Sequence, residues 1–302
     1  MRCLIGTYSS LLYWDGSEAH VVKEGVHYGI TWDHDYIYAS YNPPHEPVTK
    51  IEVYDSHLNC LDTLPLPDLQ GVHQIYWYEG VLYITNTEHS RVDMWDGICL
   101  SSLYYADSLS LEPYQLEKDV LHINSIWTDG THWYICEHGY KLPPARIRVF
   151  DMNFNQVQLI EMDFAVHDDL NAHNVYVEDE QMYVCRHRRI GIRDRAGNLI
   201  RSVFPYGDDM SAFLLRGLAR TVEHFYVGES TYAPRELRGE GDSDILILDG
   251  DLRLLDTIFL KDAGQIYEIR VVDDMDYAHN GVPCPVGYEG KLDEKEDNPS
   301  RT

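Results

Sequence analysis

The chain has 302 residues, 24 of them Lys or Arg and 50 Asp or Glu, for a formal net charge of −26. A surface this rich in carboxylates repels the phosphates whose neutralisation drives nucleic-acid binding, so DNA and RNA are excluded as partners. No apolar run approaches the length of a membrane span and no signal-peptide pattern opens the chain, so a cytoplasmic protein with no membrane partner is expected.

Three short apolar runs come first, LIGTYS from Leu4, LLYWDG from Leu11 and AHVVKEG from Ala19, and they read as strands without an inner partner. A hairpin then recurs six times: YGITWDHDYIYAS from Tyr28, HQIYWYEGVLYITN from His73, NSIWTDGTHWYICEH from Asn124, HNVYVEDEQMYVCRH from His173, RGLARTVEHFYVGES from Arg216 and YEIRVVDDMDYAHN from Tyr267. Placing Gly29, Gln74, Ser125, Asn174, Gly217 and Glu268 in one column gives separations of 45, 51, 49, 43 and 51 residues, the period of a propeller blade. A third strand follows most copies, as in KIEVYDSHLN from Lys50 and RIRVFDMNFN from Arg146, and then a short outer strand such as LLDTIFL from Leu254. The prediction is an all-β, six-bladed β-propeller with four-stranded antiparallel blades. The N-terminal strands join the C-terminal blade, closing the ring and removing its exposed edges. Residues 1–284 form this single domain, and 285–302 read as a polar acidic tail that frays. Six Cys show no metal spacing, and Cys136 and Cys185, at one place in two copies, read as buried reduced thiols.

In a propeller the first strand of each blade lines the channel, and its start shares a face with the end of the second strand and with the loop that follows. This puts His27, Tyr28, His73, His122, Asn124, His173, Arg216, Tyr267 and Glu268 at the channel mouth, with His138, Arg186, His187, Glu229 and His279 at second-strand ends. Long second-to-third loops in alternate blades, YNPPHEPVT, GYKLPPAR and TYAPRELRGEGDS, would wall the same face. Side-chain parity groups His73, His122 and His173, with Asn124 as a fourth ligand or a supporting group, around a divalent Zn, Fe or Mn. Tyr28, Tyr267, Glu268 and His187 would move protons and Arg216 would stabilise developing negative charge. His27, His138, Arg186, Glu229 and His279 would contact substrate. No nucleophile elbow, phosphate-binding Gly loop or HExxH is present. The expectation is a metal-dependent lyase or hydrolase acting on a small polar or anionic molecule. The alternatives are a carbohydrate- or peptide-binding propeller, with Tyr41, Tyr140 and Tyr232 as stacking surface, and a scaffold for protein partners. Nothing in the sequence speaks to oligomeric state.

The WDHDYIYAS, WYEGVLYIT and DGTHWYIC hairpins and the EVYD, RVFD and LILD third strands resemble the six-bladed propeller superfamily that includes gluconolactonase-like, NHL-repeat and TolB-like proteins. The resemblance covers nearly the whole chain, implies the ring architecture and carries no residue roles. The His, Arg and Tyr set is also similar to that of the peptide-amidating lyase, a six-bladed propeller with a His-bound zinc. The acidic and Asn metal ligands typical of gluconolactonase-like enzymes have no counterpart at the first-strand positions.

Overall fold

Aspartates turn the chain at both ends of the repeating unit. Asp33 Oδ1 accepts the N–H groups of Asp35 and Tyr36 at 2.8 and 2.7 Å, and its other oxygen takes the Tyr38 hydroxyl. Asp129 does the same for Thr131, His132 and Tyr134. Between third and outer strands, Asp55 and Asp151 each bind an Asn four residues on, and Leu58 and Phe154 take left-handed conformations at φ 62° and 60°. Part of the acidity is therefore turn chemistry.

The computed structural model describes residues 1–43, 46, 48–104, 119–139, 144–162, 172–205 and 213–286. The N-terminal strands β1 (Cys3–Thr7), β2 (Ser10–Trp14) and β3 (Ala19–Glu24) belong to the closing blade. Blade one is β4 (Val26–Trp32), β5 (Ile37–Asn42), β6 (Lys50–Tyr54) and β7 (Cys60–Leu64). Blade two is β8 (Ile75–Tyr78), β9 (Val81–Asn86), β10 (Arg91–Trp95) and β11 (Leu100–Tyr104). Blade three is β12 (Ile123–Thr128), β13 (His132–Glu137), β14 (Arg146–Asp151) and β15 (Gln156–Glu161). Blade four is β16 (His173–Glu178), β17 (Gln181–Cys185), β18 (Ile190–Asp194) and β19 (Leu199–Val203). Blade five is β20 (Phe213–Arg220), β21 (Phe225–Thr231), β22 (Ser243–Leu248) and β23 (Leu254–Leu260). The last strand, β24 (Ile266–Val271), pairs antiparallel with β1 in the order β24-β1-β2-β3, so six four-stranded sheets close one ring.

Inner strands such as β12 and β24 are buried throughout, and outer strands such as β3 and β7 are largely exposed. Neighbouring blades meet through aromatic pairs: Tyr38 on Trp77 at 5.4 Å, Tyr83 on Trp133 at 4.3 Å, Trp127 on Tyr176 at 5.3 Å and Tyr183 on Phe225 at 4.9 Å. Each such pair adds about 1 kcal/mol beyond the area it buries. Among the described residues no helix is long and apolar enough to cross a membrane.

One element differs from expectation. The sequence DYAHN reads as the second strand of the sixth copy, but β1 occupies that place, with Ile5 opposite Ile269. The chain after β24 instead crosses the end of the channel away from the mouth. There Tyr277 N–H donates to Arg220 O, His279 Nε2 lies 2.7 Å from Thr31 Oγ1 and Asn280 Nδ2 donates to Trp32 O. Between mouth and plug the channel is filled by buried charge. Glu268 meets Arg270 at 3.2 Å and accepts from Gln74 Nε2 at 3.0 Å, and Arg270 also faces Asp276 at 4.0 Å.

Candidate functional site

The mouth is shaped by irregularities at the starts of inner strands. Pairing with the second strand slips between His27 and Ile30, between Ile123 and Ser125, between His173 and Val175, and between Arg216 and Leu218. A bulge adds a residue to one strand and re-aims the side chains before it. Asn174 at φ 44° and Gly217 at φ 72° sit in two of these bulges, and the Asn174 Oδ1 accepts the Gly217 N–H at 2.9 Å. Gly29 is required at its position because a Cβ there would lie 2.4 Å from His73 O.

Above the bulges the rings form a continuous arc. Tyr267 lies 4.3 Å from Tyr28, Tyr28 stacks on His73 at 4.6 Å, and His73, His122, His138 and His173 follow at 4.9, 4.8 and 4.7 Å between centroids. His73 Nδ1 donates to Gly71 O at 2.8 Å, which leaves Nε2 as the lone-pair nitrogen of the neutral ring. The Asn124 amide nitrogen, fixed by donation to Ala172 O, approaches His173 Nδ1 at 3.0 Å, which puts the His173 proton on Nε2. Burial, with help from neighbouring imidazoles and from Arg216, holds His73, His138 and His173 well below the usual histidine range, so these rings are neutral. His122 differs: its Nδ1 bonds Asp119 Oδ1 at 2.7 Å, and both residues are left-handed, at φ 49° and 62°.

Three arginines complete the face. Arg216, 8% exposed, packs its guanidinium 4.9 Å from the Tyr267 ring, and burial lowers its proton affinity. Arg235, on a single 3-10 turn (Arg235–Leu237) in the blade-five loop, stands beside Tyr8, and Arg238 follows on the same loop. A cavity of about 440 Å³ is lined by all three together with Tyr28, His73, Asp119, His122, His138 and Tyr232. A second lobe of about 340 Å³ shares Tyr28, His73, Asp119, His122 and Arg235 with it and extends to Glu46 and Glu88. Beneath them a chamber of about 20 Å³ reaches Gln74, Asn124, His173, Arg216, Tyr267 and Glu268. Among the described residues no Asp or Glu pairs with Arg216, Arg235 or Arg238.

The structure thus gathers Tyr28, His73, His122, Asn124, His138, His173, Arg216, Tyr267 and Glu268 around one mouth. Glu268 lies at the floor, where burial raises its carboxyl to about 7 against the opposing pull of Arg270. Other expected contacts fall elsewhere. His27 is buried, donates from Nδ1 to Gly25 O, stacks on Tyr41 and faces Glu52 at 3.8 Å, because the bulge that follows it turns it into the blade. Arg186 and Glu229 are buried within blades four and five and line none of these cavities, and His187 stands behind Tyr232 at 4.9 Å. His279 sits at the opposite end of the channel against Trp32 and Tyr76, a correction to its expected place at the mouth. Tyr140 and most of the tail lie outside the described residues.

Among the expected metal ligands, His138 intervenes between His122 and His173, and no choice of one ring nitrogen from each of His73, His122 and His173 puts all three within 4.8 Å of one another. Among the described residues one His/Cys/Asp/Glu group does so, Asp15, Glu18 and His20 on the closing blade, and it is largely exposed and already hydrogen-bonded within itself. Tyr8 and Asp119 were not singled out from the sequence. The turn after β1 becomes a second-to-third loop once β1 is the second strand of the closing blade, and that placement was the available signal for Tyr8.

No protein-family model matches the chain, and no curated protein sequence matches it. Solved structures do. A chain of a nidogen/laminin complex aligns with TM-score 0.65 and 12% identity, over 89% of this chain and 97% of that one. A protein of unknown function from Bacteroides caccae aligns with TM-score 0.61 and 10% identity, over the same shares of 89% and 97%. At such identity the likeness concerns the fold. The chain is a six-bladed β-propeller.

Proposed function

We propose that this protein captures a small anionic molecule at the mouth of its propeller channel. The observation that carries the reading is that Arg216, Arg235 and Arg238 converge on one cavity without a described carboxylate partner, in a chain with 50 acidic residues against 24 basic ones. Arginines in so acidic a protein find carboxylates readily, and a guanidinium left without one in a half-closed site is costly unless a ligand supplies the charge. Carboxylate, phosphate and sulfate groups each match the guanidinium fork through two parallel hydrogen bonds. The surrounding neutral imidazoles and tyrosines add hydrogen-bonding groups without repelling an anion.

Calorimetry with acetate and sulfate, against glycerol as an uncharged control, tests this. Both anions are expected to bind where glycerol does not. Arg238→Gln should weaken them about tenfold, or ~1.4 kcal/mol, with EDTA having no effect. Equal affinity for glycerol would refute the reading, and binding abolished by EDTA would return the site to a metal held by the histidines.

Catalysis in the same pocket is a second reading, favoured by the Asp119–His122 pair. A carboxylate bonded to Nδ1 orients an imidazole and fixes its other nitrogen as a proton acceptor, as a lyase or hydrolase acting on the captured anion requires.

A further inference from the structure

We propose that the ligand carries two separated anionic groups, one held by Arg216 at the floor of the mouth and one by Arg235 and Arg238 at its rim, with a polar body between them. This rests on the anion-binding reading and adds the class of molecule.

The cations stand at two levels. Arg216 is buried and lines both the upper cavity and the small chamber beneath it. Arg235 is exposed on its loop and lines both upper lobes, and Arg238 is half-buried beside it. A single carboxylate fills one guanidinium fork, so one small anion leaves a cation of the other level without a partner. The space is also too large for such an ion: lobes of about 340 and 440 Å³ fall in the range of sites that enclose molecules of many heavy atoms.

Hydrogen-bonding side chains stand between the two levels, beside the Asp119–His122 pair. Tyr28, His73 and His122 are common to both lobes, and the neutral His73 offers a nitrogen lone pair, which suits hydroxyl groups on the body of a ligand. Of the described carboxylates near the mouth, Asp119 is bonded to His122, Glu46 is paired to Lys50, and Glu46 and Glu88 line the lobe that Arg235 shares but Arg216 and Arg238 do not reach. The anionic ends are thereby directed to the blade-five side. A hydroxylated diacid, or a sugar acid bearing a second acidic group, has this form.

The test is calorimetric titration of the full chain with acetate, succinate, glutarate and adipate at constant ionic strength. The second carboxylate of a diacid that spans the two levels binds as an intramolecular event, so at least one diacid should bind about tenfold or more tighter than acetate. Arg235→Gln with Arg238→Gln, both on the surface loop, should remove the diacid's advantage, so that it binds this variant no tighter than acetate does through Arg216 alone. Arg216→Gln should do the same from the other end, and the loop variant keeps the test decisive if the buried substitution fails to fold. Diacids no tighter than acetate, with acetate bound, would overturn the two-anion inference and leave the anion site standing. Folded protein that binds none of the four acids would overturn both.

Discussion

Replacing Glu268 by Gln isolates the electrostatics of the channel floor. Glu268 is fully buried, accepts from Gln74 Nε2 at 3.0 Å and is ion-paired with Arg270 at 3.2 Å, and burial raises its carboxyl from 4.5 to about 7. An acid whose folded pKa is raised keeps its proton in the native state after the unfolded chain has lost it. Its stabilising effect is complete below pH 4.5 and is lost as pH rises to about 7. Over that window the wild type should lose about 3 kcal/mol relative to Glu268→Gln, at 1.36 kcal/mol per pH unit of displacement. The glutamine can still accept from Gln74, and Arg270 keeps the Leu218 and Ile269 carbonyls and Asp276. Asp276 titrates in the same direction, to about 6, but is present in both proteins and drops out of the difference. Urea unfolding of both proteins at half-unit steps from pH 4.5 to 8, with the slope m constrained to be equal, gives the difference directly. A stability difference that stays constant across this range would refute the claim that the buried carboxyl holds its proton.

Further outcomes follow from other parts of the ring. His73, His138, His173 and His279 are held neutral by burial, so stability should fall as pH drops below about 6.5, where the unfolded chain takes up protons that the fold resists; His279→Gln should make the acid limb of a pH–stability profile shallower. Gly29→Ala would press a methyl onto His73 O at 2.4 Å and should cost about 3 kcal/mol in denaturant unfolding, whereas Gly250→Ala, which meets nothing within 4 Å, should be near neutral. Removing residues 1–24 takes three of the four strands from the closing blade and leaves β24 without its partner, so the truncated chain should lose cooperative thermal unfolding and associate on size-exclusion chromatography.

The repeat was legible because hydrophobic alternation and turn residues are local. The spacing of the hairpins from Tyr28 to Tyr267 specified six blades, and the unpartnered runs at Leu4, Leu11 and Ala19 specified how the ring shuts. The sixth second strand was misplaced because DYAHN has the aromatic-polar composition of the others, and composition does not reveal that β1, far away in sequence, competes for the same edge.

The site was legible as a face and not as a geometry. From sequence alone came the convergence of His73, His122, His173 and Arg216 on one mouth; strand parity then grouped the imidazoles as ligands, and parity fails across a bulge, where one extra residue reverses every side chain beyond it. Only the tertiary structure set His138 between His122 and His173, turned His27 into its blade, paired His122 with Asp119 and brought Tyr8 and Arg235 together from opposite ends of the chain. Those neighbours are fixed by how six sheets pack around an axis, and contacts between blades join residues tens to hundreds of positions apart that no local pattern couples.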